Sequence, residues 1–471
     1  MNRTLQILKY ILSDAIGASC AYLAVFTFRK SIIEPKLFGD NVLLLYDNKF
    51  VLSLLAIVAF WLAIHTITGV YRNIYRRSRL REFVQTFSMS LLGSVFLFFA
   101  IILDDYIDSY TSYYQSFAIL FGVHFVFTAL GRLILSSRTA HRIHSRSIGF
   151  NTLLIGSNEN ALKLHEELQS QRRGSGFLFK GFVHINGGHN HALEGNVPHL
   201  GHFENINSIL SEHGIEDAII ALETSEHDKI GQILNKLEGQ PVNVKIIPNM
   251  YDILSGQVRM TSIMGAPLID ISHEIMPAWQ QSFKRMMDVF ISIFCLILLS
   301  PVYLIIGLIV KFTSKGPFLY SHERIGLHGK PFNIYKFRSM YQNAENNGPA
   351  LSKKDDPRIT PFGKFLRRSR LDELPQFYNV LKADMSMVGP RPERQFFIDK
   401  IVQVAPHYKH LQSVRPGITS WGQVKYGYAE NVEQMVERLK FDVLYIENMS
   451  LLVDLKILIY TVLIVLQGRG K

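Results

Sequence analysis

The 471-residue chain has only two cysteines, Cys20 and Cys295, each inside an apolar run. That excludes a disulfide framework and a cysteine-based zinc site, and both thiols read as small core hydrophobes. Charge is also scarce, at 19% of residues against 48% hydrophobic, where a soluble domain carries about 25% charged. Residues 1–281 hold 23 basic and 23 acidic side chains, and residues 282–471 hold 27 and 16, so acid is short only at the C-terminal end. The entire net charge of +11 falls there, which suits anionic partners such as phosphorylated substrates, anionic lipid or nucleic acid. A small-residue cleavage pattern is missing after the first apolar segment, so that segment reads as a retained span and not as a signal peptide.

Long apolar runs are plentiful. Four segments, Tyr10–Phe28, Val51–Val70, Phe83–Leu103 and Tyr113–Leu135, each approach the ~20 residues needed to cross a bilayer. The first is the weakest because it carries Asp14. The loop after the second holds Arg72, Arg76, Arg77, Arg79 and Arg81, and the segment after the fourth holds Arg138, Arg142 and Arg146. The loop after the third has Asp104, Asp105 and Asp108 without a cation. The positive-inside rule therefore places the N-terminus and everything after the fourth span in the cytoplasm. Paired intramembrane charges are not expected, so the four-helix transmembrane bundle of residues 1–147 reads as an anchor.

From Asn151 the pattern changes to short β-rich runs alternating with helices. Strands are expected at Thr152–Ile155, Lys180–Val183, Asp217–Leu222 and Asn243–Ile247. Helices are expected from the Gly156 turn to about Gln171, at Glu204–His213 and at His227–Glu238. This βαβ succession predicts a Rossmann-like α/β middle domain over 148–275. It lacks two parts of a dinucleotide fingerprint. Asn158 stands where backbone should approach a pyrophosphate, and Val183-His-Ile-Asn186 ends the second strand without an acidic residue. The domain thus reads as a degenerate nucleotide-binding fold with a regulatory or assembly role. His184, His189 and His191 read as solvated loop histidines around the Gly187-Gly188 turn, not as a metal tract.

Met286–Phe312 is nearly unbroken apolar sequence, interrupted at Ser300-Pro301 and basic at both ends through Lys284, Arg285, Lys311 and Lys315. A proline mid-run breaks the helix. Two cationic ends fit a re-entrant helix-break-helix over 285–312, returning the chain to the cytoplasm. Beyond it, two short strands flank a Gly326–Gly329 turn, and Lys336 and Arg338 alternate with Tyr335 and Phe337, so both cations face one side. Next comes Arg367-Arg-Ser-Arg-Leu-Asp-Glu-Leu-Pro-Gln376. Ser369 three residues before Asp372 approximates a capping box, with a helix running to about Leu381 and Leu374, Phe377, Tyr378 and Leu381 on one face. Asp372 and Glu373 would then sit at a helix N-terminus, among Arg367, Arg368, Arg370, Arg391 and Arg394. Carboxylates within a cluster of fixed cations suggest phosphate chemistry, by attack or through a metal; a capped helix with surface ion pairs is the alternative. Leu451–Leu466, broken by Asp454 and Lys456, is too short and too charged for a span and reads as an interfacial helix.

Several motifs occur in order. They are Ser300-Pro301, Tyr335-Lys-Phe-Arg-Ser-Met340, Leu371-Asp-Glu-Leu-Pro-Gln376, Asp384-Met-Ser-Met-Val-Gly-Pro-Arg-Pro392, Arg415-Pro-Gly417 and Asp442…Tyr445-Ile-Glu-Asn448. With them the chain resembles the bacterial sugar transferase family, the monotopic phosphoglycosyl transferases. The four spans and the middle domain make it similar to the large, polyprenyl-phosphate hexose-1-phosphate transferase branch. One departure is Ala383, where the family usually has glycine. The resemblance implies an α/β catalytic domain over 282–471 on the cytoplasmic face of a bacterial inner membrane. It implies transfer of hexose-1-phosphate from a UDP-sugar, glucose or galactose foremost, to undecaprenyl phosphate, with release of UMP. Asp372 would be the nucleophile and Glu373 would hold Mg²⁺. Lys336, Arg338, Arg367, Arg368 and Arg391 would bind substrate, with Asp384 and Asp442 as metal- or phosphate-network partners or helix-end caps. The expected partners are UDP-sugar, undecaprenyl phosphate and membrane lipid, not nucleic acid, and the middle domain is available for homodimer contacts. Competing readings are a nucleotide-sugar-modifying enzyme using the middle domain, and a non-catalytic organiser of polysaccharide assembly.

Overall fold

The computed structural model describes residues 2–38, 47–102, 110–171, 174–185, 192–222, 229–237, 240, 242–248, 268–271, 275–342, 344, 356–427 and 429–467. The acidic loop around Asp104 to Asp108, Gly187, Gly188, His189 and His191 lie outside them. The chain packs as two compact units, residues 1–201 with 213–219 and 255–268, and residues 202–212 with 220–254 and 269–471.

Among the described residues, four helices are long and apolar enough to cross a membrane: α1 (Arg3–Phe28), α2 (Asn48–Ile67), α3 (Arg79–Leu97) and α4 (Tyr110–His144). Each of the first three begins where an Asn, Asp or Ser side chain caps its first turn: Asn2, Asp47 and Ser78 accept from the N–H groups of Leu5, Phe50 and Arg81. Trp61, Ala18 and Ala21 are fully buried between the helices. The expectation of no paired charge inside these helices is wrong. Arg132 of α4 grips Asp14 of α1 with two hydrogen bonds of 2.9 and 2.7 Å, and a third goes to Thr86 at 2.9 Å. Tyr71 donates to the same carboxylate at 2.9 Å. A charge that looked like a weakness of the first span is therefore neutralised by the fourth, as a buried ion must be. After α2, Arg76 bonds the fully buried Asp217 at 2.9 Å and lies 3.9 Å from the centre of the Phe150 ring.

The α/β region forms a sheet in the order β3-β2-β1-β4-β5-β6. Its strands are β1 (Phe150–Ile155), β2 (Phe177–His184), β3 (His199–His202), β4 (Asp217–Ile220), β5 (Asn243–Ile246) and β6 (Ile269–Asp270). β1 and β2 run parallel, and β6 is antiparallel to β5. The helices are α5 (Glu159–Ser170), α6 (Ile206–Glu212) and α7 (Ile230–Leu237). The expected parallel α/β pattern is present; the short strands β3 and β6 were not foreseen. Asn158 caps α5, accepting from the Ala161 N–H at 3.0 Å. The residue that spoiled the dinucleotide fingerprint thus fills the helix N-terminus with its own side chain.

α8 (Ala278–Leu298) and α9 (Ser300–Thr313) meet at a bend of 62°. Pro301 falls in the first turn of α9, where its missing N–H costs nothing, so the break is a stop and a fresh start and not a mid-helix kink. Then follow β7 (Leu319–Ile325), β8 (Pro331–Phe337), α10 (Pro361–Arg368), α11 (Gln376–Leu381), β9 (Ser386–Val388), α12 (Gln395–Val404), β10 (Gly417–Thr419), α13 (Trp421–Lys425), α14 (Val432–Glu447) and α15 (Leu451–Leu466). Their core gathers Val380, Met385, Ile398, Leu439 and Ile446. α8 is fastened to β9 by its few polar residues. Asp288 accepts from the Ser386 hydroxyl at 2.7 Å and the Met387 N–H at 3.1 Å, and Lys284 donates to the Val388 carbonyl at 2.9 Å. On α15, Asp454 and Ile457 are buried in this core, while Leu452, Leu455, Ile459 and Val462 point outward.

Candidate active site

Tyr320 of β7 pairs with Lys336 of β8, and His322 with Ile334, in an antiparallel hairpin. Lys336 near the end of β8 and Arg338 just after it line one cavity, of about 350 Å³, which Arg367, Asp372 and Arg391 also line.

Asp372 and Glu373 reach the site by a different local fold than expected. The capped helix start lies earlier: Thr360 accepts from the Gly363 N–H at 2.9 Å, and Pro361 opens α10. α10 ends at Ser369, whose hydroxyl turns back to the Phe365 carbonyl at 2.8 Å. Arg370 adopts φ 54°, and Leu371–Glu373 form a single 3-10 turn before α11. Ser369 is thus a helix end and not an N-cap, and neighbouring side chains hold the carboxylates in place of a helix N-terminus. Tyr378, placed on one face with Leu374, Phe377 and Leu381, is exposed, while Asn379 and Val380 are buried. Asn379 ties α11 to β8, donating to the Asn333 carbonyl at 2.7 Å and accepting from the Tyr335 N–H at 3.1 Å. This fixes the acidic turn against Lys336.

The two carboxylates are both buried, at 7% and 8% exposure. Lys336 Nζ donates to Glu373 Oε1 at 2.8 Å, and Arg391 Nη1 lies 3.6 Å from the same oxygen. Burial opposes ionisation of Glu373, but Lys336, Arg391 and Arg370 together outweigh it and hold the carboxyl well below the usual range. Burial pushes Asp372 up to about 6, against the pull of Lys336, and the adjacent Glu373 charge adds to the rise. Adjacent carboxyls pushed in opposite directions mark a division of labour.

The segment that follows Arg391 is held by side-chain bonds. The next acidic residue, Glu393, accepts from Arg438 at 2.7 Å and from Arg324 at 2.8 Å, and Arg324 also donates to the Pro392 carbonyl at 2.9 Å. Tyr320, His322, Arg324, Glu393 and Arg438 all line the cavity and were missed from sequence. The period-two spacing of Tyr320, His322 and Arg324 on a strand was a usable signal; Glu393 and Arg438 gave none. Arg338 spends its Nη2 on the Ser314 carbonyl and hydroxyl, at 2.6 and 2.9 Å. Arg367 donates to Ser339 Oγ at 2.9 Å. Arg368 is exposed and outside the lining. Asp384 and Asp442 are not among the residues that line the cavity. Asp384 lies just past α11, and buried Asp442 accepts the Gly422 N–H at 2.9 Å beneath α13, so both occupy end-cap positions. Ala383 has φ 68°, a conformation that glycine adopts freely, which accounts for the family's usual residue there.

Among the described residues, no three His, Cys, Asp or Glu side chains gather as metal ligands. Asp372 nonetheless offers a hard carboxylate at the cavity, with Glu373 next to it behind the lining and its Oε1 engaged by Lys336. One or two carboxylates completed by substrate phosphates is the donor set Mg²⁺ accepts, so the residues fit it. The arrangement can bind a polyphosphate, neutralise it and present a carboxylate to phosphorus.

Comparison with known proteins follows the same lines. Residues 279–468 match the family described as bacterial sugar transferase, and residues 66–248 match a CoA-binding domain family. A UDP-N-acetylgalactosamine-undecaprenyl-phosphate N-acetylgalactosaminephosphotransferase of Aeromonas hydrophila is 40% identical, over 48% of this chain and 52% of its own. A UDP-glucose:undecaprenyl-phosphate glucose-1-phosphate transferase of Klebsiella pneumoniae is 36% identical, over 53% and 54%. The chain therefore spans about half the length of these two relatives. An undecaprenyl-phosphate galactose phosphotransferase of Salmonella typhimurium is 32% identical over 68% of each chain. With its apolar helices, its acidic turn and this extended match, the chain is a membrane protein that belongs to the bacterial sugar transferase family.

Proposed function

We propose that this protein transfers a hexose-1-phosphate from a UDP-hexose, glucose or galactose, to undecaprenyl phosphate, releasing UMP, as the initiating membrane step of exopolysaccharide, capsule or O-antigen synthesis. The observation that carries the reading is buried Asp372 in a cavity with Lys336, Arg367 and Arg391. In the first step an Asp372 carboxylate oxygen bonds to the sugar-bearing phosphorus. The bond from that phosphorus to the bridging oxygen breaks, and UMP leaves with the electron pair. In the second step a phosphate oxygen of undecaprenyl phosphate attacks the same phosphorus, and the carboxylate is regenerated. Lys336, Arg367 and Arg391 hold the phosphate oxygens, since an anion attacks an anion only when charge is neutralised. Mg²⁺ held by Glu373 would add to that neutralisation. A panel of UDP-sugars with undecaprenyl phosphate, read by UMP release, tests the reading; turnover is expected with UDP-glucose or UDP-galactose, and no release from any donor overturns it.

The placement follows from the same reading. Residues 1–147 form the anchor, 148–275 the α/β domain and 282–471 the catalytic domain, in the bacterial inner membrane with the catalytic domain cytoplasmic. The bent pair α8–α9 is a re-entrant hairpin, supported by its 62° break and by cations at both ends. The outward apolar face of α15 rests on the inner leaflet, where an acceptor phosphate presents its charge. Accessibility tags at Met1 and Lys471 are expected on the same, cytoplasmic side; labelling of Lys471 from outside refutes this topology.

A further inference from the structure

His322 lines the cavity beside the Asp372 site and takes no part in the steps above. Its Nε2 accepts a hydrogen bond from Arg324 Nε at 2.8 Å. That bond fixes the tautomer: with Nε2 an acceptor, a neutral ring carries its proton on Nδ1. Burial, and then Arg324, Arg394, Lys336 and Arg391, push the imidazole down to about 2, so the ring is neutral at working pH. Nδ1 is buried and has no hydrogen-bond partner among the described residues. The ring is steadied by Tyr320, 5.2 Å away between centroids. The acidic side chain on this wall, Glu393, has both oxygens engaged, one by Arg438 and the other by Arg324. The wall therefore offers donors, and its complement is an acceptor. A phosphate is already served by the fixed cations at the Asp372 end. A neutral ring adds a donor without adding charge, and with the phosphates on the cations the acceptor left for it is one that has lone pairs and no proton, such as a carbonyl oxygen.

Resting on the donor assignment above, we infer that His322 is a specificity-determining residue whose Nδ1–H reads a carbonyl oxygen of the sugar-nucleotide donor. Two groups of such a donor carry that chemistry, the uracil ring and the acetamido group of an N-acetylated sugar.

The test compares His322→Phe, which keeps a ring and removes the donor, with His322→Asn, whose amide can place an N–H where Nδ1 stood. Both lose the ring Nε2 that accepts from Arg324, so recovery in His322→Asn over His322→Phe reports the N–H. Full-length protein is assayed for kcat/KM with UDP-glucose and UDP-N-acetylgalactosamine, and for inhibition by UMP. His322→Phe is expected to lose roughly 10- to 100-fold, with His322→Asn restoring most of it. An equal loss with both donors, with UMP inhibition weakened to match, assigns the uracil carbonyl. A loss confined to the acetamido donor, with UMP inhibition unchanged, assigns the sugar. Equal behaviour of the two variants, whether both intact or both impaired, overturns the inference. Failure of the wild-type protein to release UMP from any donor instead sinks the donor assignment, and this inference with it.

Discussion

Asp372→Asn is expected to lower turnover by about three orders of magnitude or more, the scale of loss when a nucleophile is removed. The amide keeps the volume and the hydrogen-bonding reach of the carboxylate but cannot attack phosphorus. Incubation of the wild-type protein with donor alone should give a sugar-phosphate adduct on residue 372 by rapid-quench mass spectrometry, and the variant should give none. Folding is a separate readout. The Asp372 carboxyl is raised to about 6, above its unfolded value, by burial. A raised carboxyl favours the folded state while it stays protonated, and that contribution is lost as pH rises through about 6. The uncharged amide escapes the loss, so the variant should melt no lower than wild type at neutral pH. The same shift sets the pH profile. Only the ionised carboxylate is a nucleophile, so kcat/KM should fall on the acid side through about pH 6, well above an ordinary aspartate. An acid limb near 4, or substantial retained turnover in Asp372→Asn, removes this residue from the chemistry.

The family was legible because its motifs are local strings whose order survives in the sequence. The spans were legible because apolar length needs no partner to be recognised. What escaped depended on contacts between distant positions. Asp14 looked like a flaw until Arg132, 118 residues on, closed over it. Asp454 looked like an interruption of an apolar run, yet it is a core residue because Lys284, 170 residues earlier, meets it. The capping box at Ser369 had the right spacing and the wrong place. Thr360-Pro361 was the stronger start signal, and the left-handed turn at Arg370 split the segment in two. Glu393 and Arg438 were invisible because their role exists only where they meet each other across 45 residues of chain.

Lys284→Met is the second large effect, and it is one of stability. Lys284 Nζ donates to Asp454 Oδ2 at 2.6 Å, and Tyr445 donates to Asp454 Oδ1 at 2.7 Å. Asp454 is fully buried, and burial already pushes its carboxyl up. Removing only the lysine leaves that charge with a phenol for company, a loss of about 3–5 kcal/mol. A methionine also gives up the bond to the Val388 carbonyl, which ties α8 to the strand leading into Pro390-Arg391-Pro392. The damage should therefore reach catalysis as well as melting. The destabilisation should shrink as pH falls, because the stranded carboxyl then takes up a proton and its burial no longer costs a charge. Adding Asp454→Leu to Lys284→Met should recover most of the lost stability, since replacing a whole buried pair with apolar groups is often neutral. Thermal unfolding of the two single variants and the double variant completes the cycle. A loss under about 1 kcal/mol in Lys284→Met, the scale of an exposed pair, would mean that water reaches Asp454 and that α15 does not pack on α8 as described.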